Sequence, residues 1–469
     1  MAKQHLILGL ALGGCAAAVA CSSDDAVPND NGGAGTHSIA GTHSIGGASA
    51  GTASGGGAGK GGTGSGASAG ASAGASEGGE SGAPTTSEGG AGGEAGAPVV
   101  VVPPPPPLDP YTVVVTSAAP ATFNHVLVTG TDYATKGEVA SVKLNPVAIE
   151  DSTSYPDSQG DVIAVGSGGL GFVLQRTEGK VNLVDASKIK TTFDVSDPGT
   201  NAAVDITHKA YVPMYNYNFI SVLDLDAGTV AGRIDLSQFN DPKDSDGSVN
   251  TSAAMYDPAK KIAYFVLARI DLGSYDASFH LPCSATKALI VGVDATTDTI
   301  VDLNGAADGK ALELYLAAPA SAQLSADGGT ITVFAYGCYA GGLSKQGVER
   351  VRLDTASRTI AYAPTDDNIP GDLIVLAGQQ ALLHTSAPDY SADYWNKLDL
   401  GTGVLGAALN NVPVGVASDG TNLFGVTIAY PSQDANVVSY DVATDATTSI
   451  IPSPWVGKYS AAATVALVK

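Results

Sequence analysis

The chain has 469 residues, with 46 acidic side chains against 23 basic ones, so its formal net charge is −23. Proteins that hold nucleic acid by its phosphates need a basic face, and docking on an anionic membrane surface needs a basic patch. The charge balance therefore argues against both classes. Residues 31–100 consist mostly of Gly, Ala, Ser and Thr. About 360 residues from Asp109 onward are left to form a globular domain.

Residues 1–20 have the pattern of a secretory signal peptide. Lys3 precedes an apolar run, His5–Ala20, that is too short to cross a bilayer. The segment Ala18-Val19-Ala20-Cys21-Ser22 resembles the lipobox of bacterial lipoproteins. This resemblance implies that Cys21 becomes the first residue and carries acyl chains, with Cys15 as the alternative lipidation site and soluble secretion as the alternative fate. We therefore expect a lipid anchor in the bacterial cell envelope, on the periplasmic or surface side of the outer membrane.

Residues 21–108 form a low-complexity segment. They contain few large apolar side chains, so they cannot bury enough surface to offset the entropy of ordering. We predict a disordered tether that ends in a stiff polyproline stub, Pro103–Pro107. Within it, Gly66–Gly70 matches the Gly-x-Ser-x-Gly hydrolase pattern but lacks the strand and helix that this motif needs. The dinucleotide-like run Gly166–Gly171 also lacks its helix, because a predicted strand follows it.

The domain at 109–469 is predicted to be all-β, because short Val, Ile, Leu, Tyr and Thr runs alternate with Gly, Asp and Asn turns. An apolar strand that ends in Asp or Asn recurs seven times. These anchor residues are Asn145, Asp185, Asp224, Asp294, Asp354, Asp399 and Asp441. Their spacings are 40, 39, 70, 60, 45 and 42, and a base period near 40 is typical of a four-stranded propeller blade, here with two enlarged members.

The clearest repeat predicts strands at Ala210–Met214, Ile220–Leu225 and Thr229–Leu236, with an innermost strand at 202–204 ahead of them. This unit resembles the Tyr-Val-Thr-Asn repeat of YncE-like bacterial β-propellers, although Pro213-Met214 replaces the usual Thr-Asn. The resemblance implies a seven-bladed β-propeller. Spare strands at Tyr111–Thr116 and Ala461–Val468 would close the ring within one blade, and a pair of β-sandwiches is the alternative fold.

In a propeller, the loops from strand two to strand three and the crossings between blades share one face. The predicted enlargements fall there, at 269–284, 336–347, 384–394, 430–436 and 237–250, and we call this the loop-rich face. Long loops on a rigid scaffold often carry recognition. The candidate ligand-binding residues are the aromatic and histidine side chains Tyr215, Tyr217, Tyr275, His280, Tyr336, Tyr339, His384, Tyr390, Tyr394, Trp395 and Tyr430. Such residues suit a peptide, glycan or aromatic molecule, and the alternative is that half of them pack the blade ends.

Cys283 and Cys338 are the cysteines that follow the signal region, and both fall in second-to-third loops of successive blades. In an oxidising exported compartment this placement favours a disulfide between the two longest loops. Two free thiols or a metal pair are the alternatives.

A coherent catalytic or metal-binding set is missing from the sequence pattern, and we expect no cofactor. His280 and His384 can serve as acid and base with Asp271, Asp276 or Asp389 only if the fold brings them together. Asp241, Asp244 and Asp246 fall in one crossing loop, but they do not fit the spacing of a calcium-binding EF-hand, so a solvated acidic loop is favoured over a metal site.

These observations favour a membrane-anchored lipoprotein whose propeller binds an unknown protein, glycan or small molecule through the loop-rich face. A lactonase-like or other hydrolase and an accessory protein for nutrient or siderophore uptake are the alternatives. The sequence leaves the question of catalysis open, although a binding role is favoured over an enzyme, and it gives no reason to expect a nucleic-acid partner.

Overall fold

The computed structural model describes residues 123–131, 137–155, 161–185, 188–196, 199, 202–277, 280–305, 310–340, 342–364, 369–387, 393–418, 422–429, 434–455 and 464–469. The predicted signal peptide, the tether and the strand at Tyr111–Thr116 lie outside these residues. In the described part of the chain, no helix has the length and apolar character required to cross a bilayer.

The strands form consecutive antiparallel sheets along the chain, which we number as blades 1 to 7. Blade 1 begins with β1 (His125–Thr131), β2 (Gly137–Leu144) and β3 (Val147–Tyr155). Blade 2 contains β4 (Val162–Ser167), β5 (Leu170–Gln175), β6 (Lys180–Asp185) and β7 (Lys188–Asp194). Blade 3 contains β8 (Val204–Asp205), β9 (Lys209–Pro213), β10 (Phe219–Asp224) and β11 (Thr229–Asp235).

Blades 4 and 5 are the enlarged ones. Blade 4 contains β12 (Thr251–Asp257), β13 (Ile262–Leu267), β14 (Leu289–Asp294), β15 (Thr299–Val301) and the short β16 (Leu312–Glu313). Blade 5 contains β17 (Pro319–Leu324) and β18 (Thr330–Ala335), then the loop ribbon β19 (Cys338–Tyr339) and β20 (Leu343–Ser344), then β21 (Gly347–Arg352) and β22 (Arg358–Tyr362). Three short 3₁₀ turns lie in the loops of this region, at Ser237–Phe239, Leu272–Ser274 and Cys283–Ala285.

The last two blades and the closing strand complete the ring. Blade 6 contains β23 (Ile369–Val375), β24 (Gln380–Ser386), β25 (Asp393–Asp399) and β26 (Leu405–Leu409). Blade 7 contains β27 (Val414–Ser418), β28 (Leu423–Ala429), β29 (Asp434–Asp441) and β30 (Ala446–Pro452). The final strand β31 (Val465–Val468) pairs with β1 as the innermost strand of blade 1, so the C-terminal end of the chain closes the ring. The fold is a seven-bladed β-propeller.

The repeating Asp of the sequence has a local structural cause. Asp224 ends the third strand of blade 3, and its carboxylate accepts the backbone N–H groups of residues 226 and 227 at 3.0 and 2.8 Å. Asp294 and Asp399 accept two backbone N–H groups in the same way, and Asp441 accepts one. Each Asp therefore fixes the tight turn to the outermost strand, as Asx side chains do in turns.

The hydrophobic core lies between neighbouring blades. Each blade packs one face of its second and third strands on the next blade, as in the cluster of blades 3 and 4 around Tyr211 and Phe265, whose ring centroids are 6.1 Å apart. Corresponding clusters join the other neighbouring blades around the ring, including blades 7 and 1. This radial packing leaves the innermost strands to surround the axis.

Two predicted loop boundaries are wrong. His384 lies within β24, and Tyr394 and Trp395 lie within β25, so the loop between these strands is confined to 387–392. Asn436 similarly lies within β29. The error arises because polar residues continue both strands: Thr385 pairs with Tyr394 and Ser386 with Asp393 in the antiparallel register.

Candidate functional site

The innermost strands of all seven blades surround a central cavity of about 760 Å³, which we call the axial channel. Its volume falls within the roughly 300–1,000 Å³ of small-molecule sites. Small side chains line much of the wall, because seven strands converge on the axis and leave little room for large ones. The polar side chains of the lining are Ser167, Asp205, Thr207, Ser252, Tyr256, Ser321, Gln323, Asp372, Ser418 and Thr464.

The two ends of the axial channel differ. Each innermost strand follows a crossing from the previous blade, so its first residues lie toward the loop-rich face and its last residues lie toward the tight-turn face. Asp372 is the first residue of β23 that lines the channel, which places it toward the loop-rich end. Asp205 ends β8 and lies toward the tight-turn end.

Asp372 occupies a local irregularity of β23. The register of β23 against β24 shifts between Pro370 and Asp372, and Asp372 then pairs with His384. Gly371 is required at this bulge, since a Cβ there would collide with the imidazole of His384. Desolvation by the surrounding protein raises the pKa of Asp372 to about 6, although the Leu373 N–H and the nearby His384 act in the opposite direction.

Asp205 has more polar support than Asp372. Its carboxylate accepts the backbone N–H of Thr207 at 2.9 Å, and its own N–H donates to the hydroxyl of Ser167 at 2.9 Å. Partial burial raises the pKa of Asp205, whereas the Thr207 hydrogen bond and the charges of Lys469 and His208 lower it. The two acidic groups of the channel therefore lie in different electrostatic environments.

Tyr215 packs on the loop-rich face with residues of blades that do not neighbour its own. It comes from the second-to-third loop of blade 3 and is 4% exposed, yet it packs in the core cluster of blades 5 and 6, which includes Ala320 on β17. Blade 4 lies between blade 3 and blade 5, so this contact must pass near the axis. The Tyr215 carbonyl accepts the hydroxyl of Ser248 at 2.7 Å, which holds the loop in place. Burial raises the pKa of the Tyr215 phenol.

The loop-rich face of blades 4 and 5 is a single bonded unit. Cys283 and Cys338 form a disulfide with an S–S distance of 2.00 Å. Beside it, the Tyr339 N–H donates to the Leu281 carbonyl at 2.7 Å, and the His280 ring stacks on the Tyr339 ring with centroids 4.1 Å apart. His280 Nδ1 also lies 3.2 Å from a carboxylate oxygen of Asp276. The predicted His280–Asp276 pair thus exists, at the rim rather than in a cavity.

The remaining candidate side chains are distributed between packing and surface positions. Tyr275 and Tyr336 are partly buried against apolar clusters, and burial raises the pKa of Tyr275 to about 12. Trp395 packs between blades 6 and 7, with its ring centroid 5.1 Å from that of His384. Tyr217 packs beside Phe219, whereas Tyr394 is 43% exposed. Tyr390, Tyr430, Asp389 and the predicted lipidation site Cys21 lie outside the described residues. The candidate side chains that the structure does describe therefore do not line one common pocket.

The acidic crossing loop of blade 3 is cross-linked by hydrogen bonds. Carboxylate oxygens of Asp244, Asp246 and Asp271 lie within 4.8 Å of one another. Asp271 accepts the hydroxyl of Ser245 at 2.6 Å, and Asp246 accepts the N–H of Leu272 at 3.0 Å. The carboxylates thus join this loop to the long loop of blade 4.

Asp205 and Asp372 were not among the candidates from sequence. Asp372 belongs to the run Pro370-Gly371-Asp372, which has the composition of a turn although it lies within a strand. Their position in the sequence could have identified them. Asp205 and Asp372 each lie shortly before the second strand of a repeat, where the innermost strand of a blade is expected.

No protein-family model matches the chain, and no curated protein matches it. Among solved structures, a putative 6-phosphogluconolactonase from Bacteroides uniformis is 10% identical, with 74% of this chain and 100% of that chain covered and a TM-score of 0.47. The periplasmic gluconolactonase PpgL of Pseudomonas aeruginosa is 11% identical, with coverages of 74% and 99% and a TM-score of 0.45. Apo AztD from Citrobacter koseri is 12% identical, with coverages of 74% and 98% and a TM-score of 0.42. The assignment of the propeller rests on the chain's own strand pairing, and similarity this distant gives no basis for an activity.

Proposed function

We propose that this protein is an exported binding propeller that takes a small ligand into the axial channel. The observation that carries the proposal is the cavity of about 760 Å³ to which all seven innermost strands contribute. Concave sites with a few convergent polar groups are the usual form of small-ligand sites.

A binding role fits the side chains of the described channel wall better than catalysis does. The described wall carries hydroxyl, amide and carboxyl groups. No histidine lines it that could act as a base beside one of these hydroxyl groups. The described trio of closely spaced acidic groups, Asp244, Asp246 and Asp271, lies between the crossing loop and the long loop of blade 4, away from the channel lining.

The N-terminal region supplies the proposed location. The lipobox-like segment at Cys21 would anchor the chain in the bacterial envelope, and residues 22–108 would act as a tether between the anchor and the propeller. Incorporation of labelled fatty acid by the intact protein, with its loss in Cys21→Ala but not in Cys15→Ala, tests this part of the proposal.

The channel is tested by filling it. A library of small metabolites is screened by thermal unfolding against the intact protein, Ser321→Trp and Ala231→Trp. Ser321 lines the channel, whereas Ala231 lies on the exposed face of β11 and serves as the matched control. A ligand at 100 times its Kd stabilises a protein by about 2.7 kcal/mol.

We expect the hits to stabilise the intact protein and the Ala231→Trp control but not the channel-filled variant. Hits that stabilise all three proteins equally would contradict the axial channel as the binding site.

A lactonase-like or other hydrolase is the second candidate. It is favoured by one observation, the pKa of Asp372 near 6, which suits a group that exchanges protons close to neutral pH. The test is a panel of lactone and ester substrates with the intact protein and Asp372→Asn. Hydrolysis that the substitution abolishes would support this candidate over simple binding.

A further inference from the structure

We infer that the ligand of the axial channel is an organic cation, an ammonium group on a partly apolar body, bound with its charged end at Asp372. This inference rests on the proposed function, because it names the class of ligand for the same channel. It is carried by the charge, the hydrogen bonding and the surroundings of the channel wall.

The charged side chains of the described channel wall are all acidic. Asp205 and Asp372 are its charged side chains, and neither Lys, Arg nor His contributes to the lining. The two acidic groups belong to different blades and lie toward opposite ends of the channel, so their field extends along it. Lys469 and His208 act on Asp205 from outside the lining, so the attraction for a cation is strongest at Asp372, where a ligand anion would be repelled.

The carboxylates of Asp205 and Asp372 each accept one described backbone N–H, but only Asp205 also has a lysine, Lys469, close enough to act on its charge. A carboxylate offers about four acceptor positions, and the hydrogen bond described for Asp372 is the one from the Leu373 N–H, at 2.7 Å. No ion-pair partner of Asp372 is found in the described part of the chain. A desolvated carboxylate of this kind gains strongly from a cation that also donates hydrogen bonds.

The groups that face Asp372 are otherwise neutral. His384 on β24 is the titratable neighbour that acts on it. The innermost strand β17 contributes Ser321 from its first half, whereas Gln323 of β17 and Ser418 of β27 come late in their strands and lie further toward the tight-turn end. Hydroxyl and amide groups can accept further N–H bonds from an ammonium group.

An ammonium ion fits this wall better than a metal ion. Hard divalent cations require several oxygen ligands around one point. Among the described residues, three acidic groups come this close only at Asp244, Asp246 and Asp271, which lie on two loops outside the channel. The channel wall also includes apolar side chains such as Val165, Ile374 and Val416. These provide contact area for the body of an organic ligand.

The test uses three probes of similar size that differ in charge: 2-phenylethylammonium, 2-phenylethanol and 3-phenylpropanoate. Their affinities for the intact protein are measured at pH 7.5 by calorimetry and by saturation-transfer NMR. We expect the ammonium probe to bind at least tenfold more tightly than the alcohol, and the carboxylate to bind more weakly than either. Asp372→Asn should weaken the ammonium probe at least tenfold and leave the alcohol unchanged.

Two controls separate this effect from net charge and from general damage. Asp226→Asn removes the same charge from an exposed position outside the channel, and it should leave all three affinities unchanged. Binding of the ammonium probe to the intact protein should also fall about tenfold from pH 7.5 to pH 5, since a carboxyl group with a pKa near 6 is then mostly protonated. Asp372→Asn should lose this pH dependence.

The outcomes distinguish the ligand class from the proposed function. One outcome is that the alcohol or the carboxylate binds best, that Ser321→Trp blocks this binding and that Asp372→Asn has no effect. In that case the inferred cation is wrong, and the channel remains the binding site. If the ammonium probe binds equally well to Ser321→Trp, the channel is not its binding site and both proposals are contradicted. If none of the three probes binds, the cation inference is contradicted, and the metabolite screen with Ser321→Trp decides the proposed function.

Discussion

Tyr215 in blade 3 and Ala320 on the innermost strand of blade 5 belong to one packed cluster, although blade 4 lies between them in the ring. A side chain that the sequence marks as a candidate for ligand contact is thus used to join distant blades over the axis.

Tyr215→Ala should destabilise the protein by about 3 kcal/mol, because removing a large buried side chain costs both its burial and the cavity left behind. Urea unfolding measures the loss. Tyr217→Ala is the control, since Tyr217 lies two residues away and is only partly buried, and it should cost clearly less. Equal losses in the two variants would contradict the packing role of Tyr215.

The disulfide predicts a second stability effect. Cys283 and Cys338 are 55 residues apart, and closing a loop of that length in the unfolded chain is worth about 4 kcal/mol. Cys283→Ser/Cys338→Ser should lower the free energy of unfolding by an amount of this order. In the intact protein, alkylation of the propeller should label these thiols only after reduction, and labelling without reductant would show that the bond is not formed.

Asp161 and Arg176 form an ion pair inside the loop-rich end of blade 2, with exposures of only 6% and 5%. The Arg176 Nε donates to Asp161 at 2.7 Å. Arg176→Met would leave a buried carboxylate without its partner, so we expect a loss of about 3–5 kcal/mol in chemical unfolding. Arg352→Met breaks the exposed pair with Asp354 and should cost clearly less, because water already screens that pair. A comparable cost for the two substitutions would contradict this account.

Asp372 should make stability depend on pH in the direction opposite to a salt-bridged carboxylate. Its pKa is about 6 in the folded protein against an ordinary value of 3.8. The folded state therefore holds the proton more tightly, and stability falls as pH rises from about 4 to about 6 and stays at the lower level above that. The shift corresponds to at most about 3 kcal/mol.

Urea unfolding of the intact protein and Asp372→Asn at pH 4, 5, 6 and 7 isolates this contribution from that of other groups. We expect Asp372→Asn to become increasingly more stable than the intact protein across the interval. A difference between the two proteins that does not change with pH would contradict a raised pKa at Asp372.

The blade repeat could be predicted from sequence because its signal is local. Apolar alternation marks the second and third strands, and in four blades an Asp such as Asp224 fixes the turn that follows, so the repeat can be recognised within each segment. The two large intervals between the anchors correspond to long loops in blades 4 and 5, such as 268–288. These features do not depend on contacts between distant segments.

The channel could not be predicted in the same way, because it is formed by the innermost strands, which have the weakest strand pattern in the sequence. β8 has two residues and β23 contains Pro370-Gly371, so neither has the composition of a typical strand. Asp205 and Asp372 come to line one channel only when seven separate segments are arranged around an axis. Likewise, the position of Tyr215 depends on the path of a loop past blade 4, for which the sequence holds no periodic signal.

The most direct test of the account is a crystal structure of the protein with 2-phenylethylammonium bound. The account predicts electron density for the probe in the axial channel, with the ammonium nitrogen within hydrogen-bonding distance of the Asp372 carboxylate. Density for the probe only on the loop-rich surface, beside His280 and Tyr339 for example, with an empty channel, would contradict the central claim.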